Sequence, residues 1–251
     1  MFVIMSAIIV NKKGEIGLLL RYPPIIIIYL VPVVLISITF HELSHAYCSY
    51  KLGDPTAKNM GRITLNPLKH LDILGTIMIL VSGFGWAKPV PINPMYYKDR
   101  KKGTMLVGIA GPLSNILIAF LFSFPMAFIG YQYGNIPFEA FFSVEQFYFV
   151  SSFLPQSIVF NLSRFFYIIN INLAVFNILP IPPLDGSRVL SGILPQGKYF
   201  RLMQYENYIA VIFLLVIFIF PGILYKVMSP FIWILETAIR FIATPLLKVL
   251  A

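Results

Sequence analysis

Stretches of apolar residues about twenty long, enough to cross a bilayer as a helix, recur along this chain rather than standing once at its start. This feature constrains the fold most, because backbone inside hydrocarbon has no water to bond and must satisfy its own N–H and C=O groups. Composition agrees. Hydrophobic residues make up 58% and charged residues 12% of the 251, against about 25% charged in soluble proteins, and the mean hydropathy is +0.82. The expectation is an all-α, multi-spanning membrane protein.

Spans are expected at about 23–50, 104–130, 157–182 and 207–226, with a last apolar stretch near 229–247. LDILGTIMILVS, residues 71–82, is too short to cross and suits a re-entrant segment. Near the start, Phe2 to Val10 and Ile16 to Tyr22 flank Asn11-Lys12-Lys13-Gly14, which predicts a small β-hairpin at the membrane surface over residues 1–22. A cleaved signal peptide is not expected, since the first run is short and no basic region precedes it.

The net charge is +9. Its basic residues lie in the loops between apolar runs, where they orient spans, so nucleic acid is not an expected partner. The connection from Lys51 to Lys102 carries nine Lys and Arg against Asp54, Asp72 and Asp99, which places it in the cytoplasm. Residues 131–156 hold Glu139 and Glu145 and no Lys or Arg, and belong on the far side. Arg188, Lys198 and Arg201 bring the next connection back. Lys12, Lys13 and Arg21 conflict with this scheme unless the hairpin is no simple tail. The first span then runs inward, and a multi-pass protein of the cell membrane follows.

At the inner end of that span stands FHELSHAYC, residues 40–48. On a helix, His41 and His45 project from one face a turn apart, the placement two imidazoles need to share a zinc ion. Glu42 can take a proton from the attacking water and pass it to the leaving amine without being a ligand. Ionisable groups inside a membrane helix are costly and usually functional. A catalytic zinc takes a third protein ligand, and the candidates are Cys48, His70 and Asp185. Asp185, in NILPIPPLDG, is preferred: zinc would offset the cost of a buried carboxylate, and the prolines open the backbone there. The plainer alternative is an Asp-Gly turn. As the one cysteine, Cys48 excludes an intramolecular disulfide and a thiolate cluster. GIAGPLSNIL, residues 108–117, puts Asn115 in the bilayer, where its amide suits either the substrate backbone or helix packing.

HELSH at 41–45, GPLSN at 111–115 and NILPIPPLDG at 177–186, in that order on membrane segments, resemble the site-2 protease family of intramembrane zinc metalloproteases. GRITLNPLKHLDILGTI at 61–77 and GWAKPVPINP at 85–94 resemble its compact branch, without PDZ or CBS domains. The resemblance implies a three-helix catalytic core within residues 23–190, followed by C-terminal transmembrane segments over 191–251. It implies one Zn2+ held by His41, His45 and Asp185, with Glu42 as general base and acid, and it matches Asn115 and Asn177 to motif positions expected to bind substrate. The implied substrate is a transmembrane helix of another protein in the lipid bilayer, with a regulatory membrane protein as a further partner. An unwound substrate could pair with a strand edge within Phe84 to Asn93.

Two rival classes predict different behaviour. An ion-coupled transporter or channel would use proline-broken helices with Asn115 and Asp185 at mid-membrane depth, but HELSH has no counterpart in the second half of the chain. A catalytically silent relative would bind without cutting, which the intact Glu42 opposes.

Overall fold

A computed structural model describes residues 2–4, 24–82, 84–134 and 155–250. Strand β1 (Phe2–Ile4) precedes helix α1 (Pro24–Lys51), short α2 (Thr56–Asn59) and α3 (Ile73–Ser82). Strand β2 (Phe84–Trp86) leads to α4 (Arg100–Gly134) and α5 (Pro155–Ile178). Helices α6 (Asp185–Ile193), α7 (Gln196–Gln204), α8 (Glu206–Ile219) and α9 (Pro221–Leu250) complete the order. Among the described residues, four helices, within α1, α4, α5 and α9, are long and apolar enough to span, and α7 with α8 would make a fifth across a 59° bend. The chain is an all-α multi-pass membrane protein.

Helix α5 is the centre, with every residue from Ser163 to Asn177 buried. Around it α1 shows how one sequence serves two solvents. Leu30, Val33, Val34, Ser37, Ile38, His41, Glu42, His45, Ala46 and Ser49 are buried at i, i+3 and i+4 spacing, while Ile28, Ile36, Phe40 and Tyr47 are exposed on the opposite face. The motif histidines therefore continue the protein-facing stripe. Helix α4 is 35 residues long, and at about 1.5 Å per residue it exceeds the hydrocarbon core. Its start is capped by Asp99, whose Oδ1 accepts from Lys101 N and Lys102 N at 3.0 Å each.

The ten-residue α3 is too short to cross, as expected for a re-entrant piece. Its Gly75 lies against the Trp86 backbone, where a Cβ would overlap the carbonyl. The expected second strand of the N-terminal hairpin, Ile16 to Tyr22, lies outside the described residues, and Phe2–Ile4 pair antiparallel with Phe84–Trp86. Two span boundaries are also corrected. The expected 157–182 segment ends at Ile178, ahead of Pro180, because a residue before proline is pushed out of helical conformation. The break expected between 226 and 229 lies instead at Phe220–Pro221, where the ring removes an N–H, and α9 continues through Pro230.

Candidate metal centre

Three elements far apart in sequence converge on one point. His41 and His45 come from α1, the backbone of α4 forms a wall, and Asp185 opens α6 just after the proline turn that ends α5. Gly186 makes that turn tight: a Cβ on it would overlap the carbonyls of Ile178 and Leu179. Gly108 likewise admits α6, since its Cβ would stand 2.8 Å from Arg188 Cβ and 2.9 Å from the Asp185 carbonyl.

His41 Nε2 lies 3.0 Å from Asp185 Oδ2, His45 Nε2 lies 3.1 Å from the same oxygen, and the two Nε2 atoms are 3.0 Å apart. All three residues are buried, and they form a group able to hold a metal ion. The ring nitrogens facing away are occupied: His45 Nδ1 lies 2.6 Å from the Val107 carbonyl and His41 Nδ1 lies 2.5 Å from Asn115 Oδ1. A carbonyl can only accept, so each Nδ1 donates its proton and each Nε2 presents a lone pair. Two such nitrogens and a carboxylate oxygen repel at this separation. One proton can bridge only one of the three pairs, whereas one metal ion satisfies all three. Two imidazoles and a carboxylate are a zinc donor set, so these residues fit zinc on their own chemistry. Arg188 Nη1 stands 3.5 Å from Asp185 Oδ1 and neutralises the oxygen turned away from the centre.

Glu42 is buried, and its Oε1 has no hydrogen-bond partner. Such an orphaned carboxylate oxygen is expected where it waits for a water. Nearby stands a residue that the sequence reading did not single out: burial pulls the Arg62 guanidinium below its ordinary value, and the Glu42 charge opposes that shift. Arg62 donates to the Lys88 carbonyl at 2.6 Å and the Pro89 carbonyl at 3.2 Å.

The other candidates fall elsewhere. Cys48 is half-buried and outside the cluster. His70 is buried, but its Nε2 donates to the Thr64 carbonyl at 2.9 Å while its own carbonyl accepts from Lys88 N, so it braces a loop. Asp72 caps α3 through Gly75 N. Asn115 contacts the His41 imidazole, and its Nδ2 donates to Asn170 Oδ1 at 2.7 Å. Asn177 spends its Nδ2 on the Leu173 carbonyl and leaves a buried, unpartnered Oδ1. Asn170 was missed, although a signal existed: it lies seven residues, two helical turns, before Asn177 in an apolar helix.

Comparison with known proteins agrees with this geometry. The chain matches peptidase family M50 over residues 29–220. It is 42% identical over 205 residues to the "putative zinc metalloprotease YwhC" of Bacillus subtilis, covering 80% of this chain and 85% of that protein. It is 30% identical over 180 residues to MJ0611 of Methanocaldococcus jannaschii, named in the same way, covering 70% and 77%. Rip2 of Mycolicibacterium smegmatis is 28% identical over 158 residues, covering 61% and 52%. No solved structure matches the chain at a significant level. With a match over most of its length and a lone-pair cluster suited to zinc, the chain belongs to peptidase family M50, the site-2 proteases.

Proposed function

We propose that this membrane zinc metalloprotease hydrolyses a peptide bond within or beside a transmembrane helix of another membrane protein. The observation that carries the reading is the meeting of His41, His45 and Asp185 about 3 Å apart, in a buried site beside an orphaned Glu42 oxygen. His41, His45 and Asp185 would hold the ion, which supplies Lewis acidity toward the scissile carbonyl. Glu42 takes the proton of the attacking water on Oε1 and returns it to the leaving amine. The apolar surroundings suit a substrate that is itself apolar, and the basic connections put the site toward the cytoplasm.

A helical substrate shields its peptide bonds and must be unwound before water attacks. The segment after β2 is suited to hold an unwound strand. Lys88 N donates to the His70 carbonyl, and Arg62 holds the Lys88 and Pro89 carbonyls. Among the described residues, Val90 and Ile92 have no backbone partner. Their N–H and C=O groups are free for backbone pairing. Asn177, with its open Oδ1, is the nearest match to a substrate N–H acceptor, and the partners are the bilayer, the substrate and a regulatory membrane protein.

The test measures zinc per protein and cleavage of a generic transmembrane substrate in wild type, Glu42→Gln and Asp185→Ala. Glu42→Gln should keep about one zinc and lose cleavage by about 10²–10⁴-fold, while Asp185→Ala should lose zinc. Wild type without zinc, or Glu42→Gln that cuts normally, would overturn the reading.

A further inference from the structure

The two ligand imidazoles have their protons placed by different means. His45 Nδ1 meets a main-chain carbonyl, that of Val107, at 2.6 Å. Main chain cannot rotate, so His45 needs no further support to keep its Nε2 bare. His41 Nδ1 meets a side-chain amide, Asn115 Oδ1. An amide can turn over, presenting an NH2 where its oxygen stood. If it did, it would donate to His41 Nδ1, drive the ring proton onto Nε2, and place that proton where the metal bonds.

What prevents the turn lies on α5. Asn170 Nδ2 donates to the Phe166 carbonyl at 2.8 Å and to Ser37 Oγ at 2.8 Å. The Phe166 carbonyl can only accept, so the Asn170 amide has one orientation, and its Oδ1 must face away from Phe166. That oxygen receives Asn115 Nδ2 at 2.7 Å. Asn115 is thereby left with only its oxygen for His41. Ser37, Asn115 and Asn170 are all 0% exposed, so no solvent competes for these bonds and an unmade one is costly. The path runs from Ser37 of α1 through Asn170 of α5 and Asn115 of α4 back to His41 of α1, one turn along from where it began. Every step is read from an atom that can play one role only.

We propose that Asn170, which touches neither metal nor substrate, is a positioning residue that sets the His41 tautomer through Asn115 and so prepares His41 Nε2 to bind zinc. The proposal rests on the metal-centre reading above. It assigns Asn115 to the ligand rather than to the substrate. Partners of this kind change metal affinity by about 10–100-fold in other zinc sites.

The experiment uses the full chain in lipid nanodiscs and measures the zinc dissociation constant by chelator competition for wild type, Asn170→Ala, Asn170→Asp and Asn172→Ala. At this fully buried position Asn170→Asp is held neutral, so its O–H donates to the Phe166 carbonyl and its other oxygen keeps an acceptor for Asn115 Nδ2, whereas Asn170→Ala supplies neither. Asn172→Ala removes an equally buried amide that bonds only the Ile168 carbonyl. Asn170→Ala should weaken zinc by about 10–100-fold, with Asn170→Asp and Asn172→Ala close to wild type. In zinc-loaded protein labelled with ¹⁵N-histidine, wild type should show two slowly exchanging Nδ1–H resonances, from His41 and His45. Asn170→Ala should lose one and Asn170→Asp should keep both, a signature that loss of packing would not give. Wild-type affinity and spectrum in Asn170→Ala, or equal losses in the Ala and Asp variants, overturn the relay while leaving the metal centre intact. A wild type that binds no zinc overturns the metal-centre reading itself. If Asn170→Ala does not fold, the wild-type spectrum and the Asp variant decide: a single Nδ1–H in wild type, or its loss in Asn170→Asp, sinks the proposal.

Discussion

Gly111 lies against the Nε2 edge of His45 with no space for a side chain: a Cβ built on it would overlap His45 Nε2, and the His41 ring beside it. The backbone of α4 is therefore a wall of the metal centre, and glycine is required there by closeness rather than by backbone conformation. Gly111→Ala should put a methyl group where the ion binds. The expected result is loss of zinc by at least about tenfold in affinity, by analogy with removed ligand support, with helix content unchanged in circular dichroism. A Gly111→Ala protein that holds zinc and cuts as wild type would contradict this wall.

Helix α6 reaches the site only because Gly186 fits under the end of α5. Gly186→Ala forces a methyl group onto the Ile178 and Leu179 carbonyls, and overpacking of this kind costs about 1–3 kcal/mol. Because Asp185 precedes it directly, the shift should displace its carboxylate from His41 and His45 as well. Lower melting temperature and weaker zinc binding should appear together. Loss of stability with unchanged zinc affinity would show that Asp185 is held independently.

Arg62 supports a carbonyl edge and not the metal. Replacing it by Met keeps most of the buried stem and leaves the Lys88 and Pro89 carbonyls unpaired. Zinc content should stay at the wild-type level while cleavage falls by about tenfold, chiefly through KM, since a lost partner to a charged group costs roughly 1.5–3 kcal/mol. Steady-state kinetics beside zinc analysis separates this outcome from damage to the centre.

Asp54 staples the connection between α1 and α4 to the end of α1. It accepts from Ser49 Oγ at 2.8 Å, Thr56 N at 2.9 Å, Thr56 Oγ1 at 2.5 Å and Asn93 N at 2.7 Å. Burial works to raise its pKa, and these bonds outweigh it, so the carboxyl sits below its ordinary value. A depressed carboxyl stabilises the fold above the unfolded value of about 3.9 and stops doing so as pH falls through the folded value. Asp54→Asn should lower the melting temperature at pH 7 and speed amide exchange across residues 90–97. The difference from wild type should shrink toward pH 3. A difference that persists at low pH would mean that packing, not charge, is what Asn removes.

Legibility followed distance along the chain. His41 and His45 were readable because four residues on a helix decide their common face without outside help. Asp185 was preferred from the prolines and the cost of a buried carboxylate, and its place beside both Nε2 atoms is where the structure puts it. The short α3 was readable from its length. Asn115 was left between substrate contact and packing because its partner, Asn170, lies 55 residues away. The α8–α9 break was misplaced because the apolar run continues across Phe220–Pro221, and hydropathy does not register a missing N–H. Likewise, the pairing of Phe2–Ile4 with Phe84–Trp86 joins segments that no local turn connects.

The order of residues alone was enough to establish a chain of membrane helices, one of them carrying two imidazoles on one face with a carboxylate beside them, and the resemblance to the site-2 proteases. Those are properties of composition, helical period and motif order, each contained in a short window or a simple succession of windows. Which lone pairs meet follows from the packing of the helices. The approach of Asp185 to both histidines, the glycine wall at Gly111 and the amide path from Ser37 to His41 depend on how α1, α4, α5 and α6 stack. Close packing is a relation among surfaces, and a hydrogen bond acquires its direction only when donor and acceptor are brought face to face.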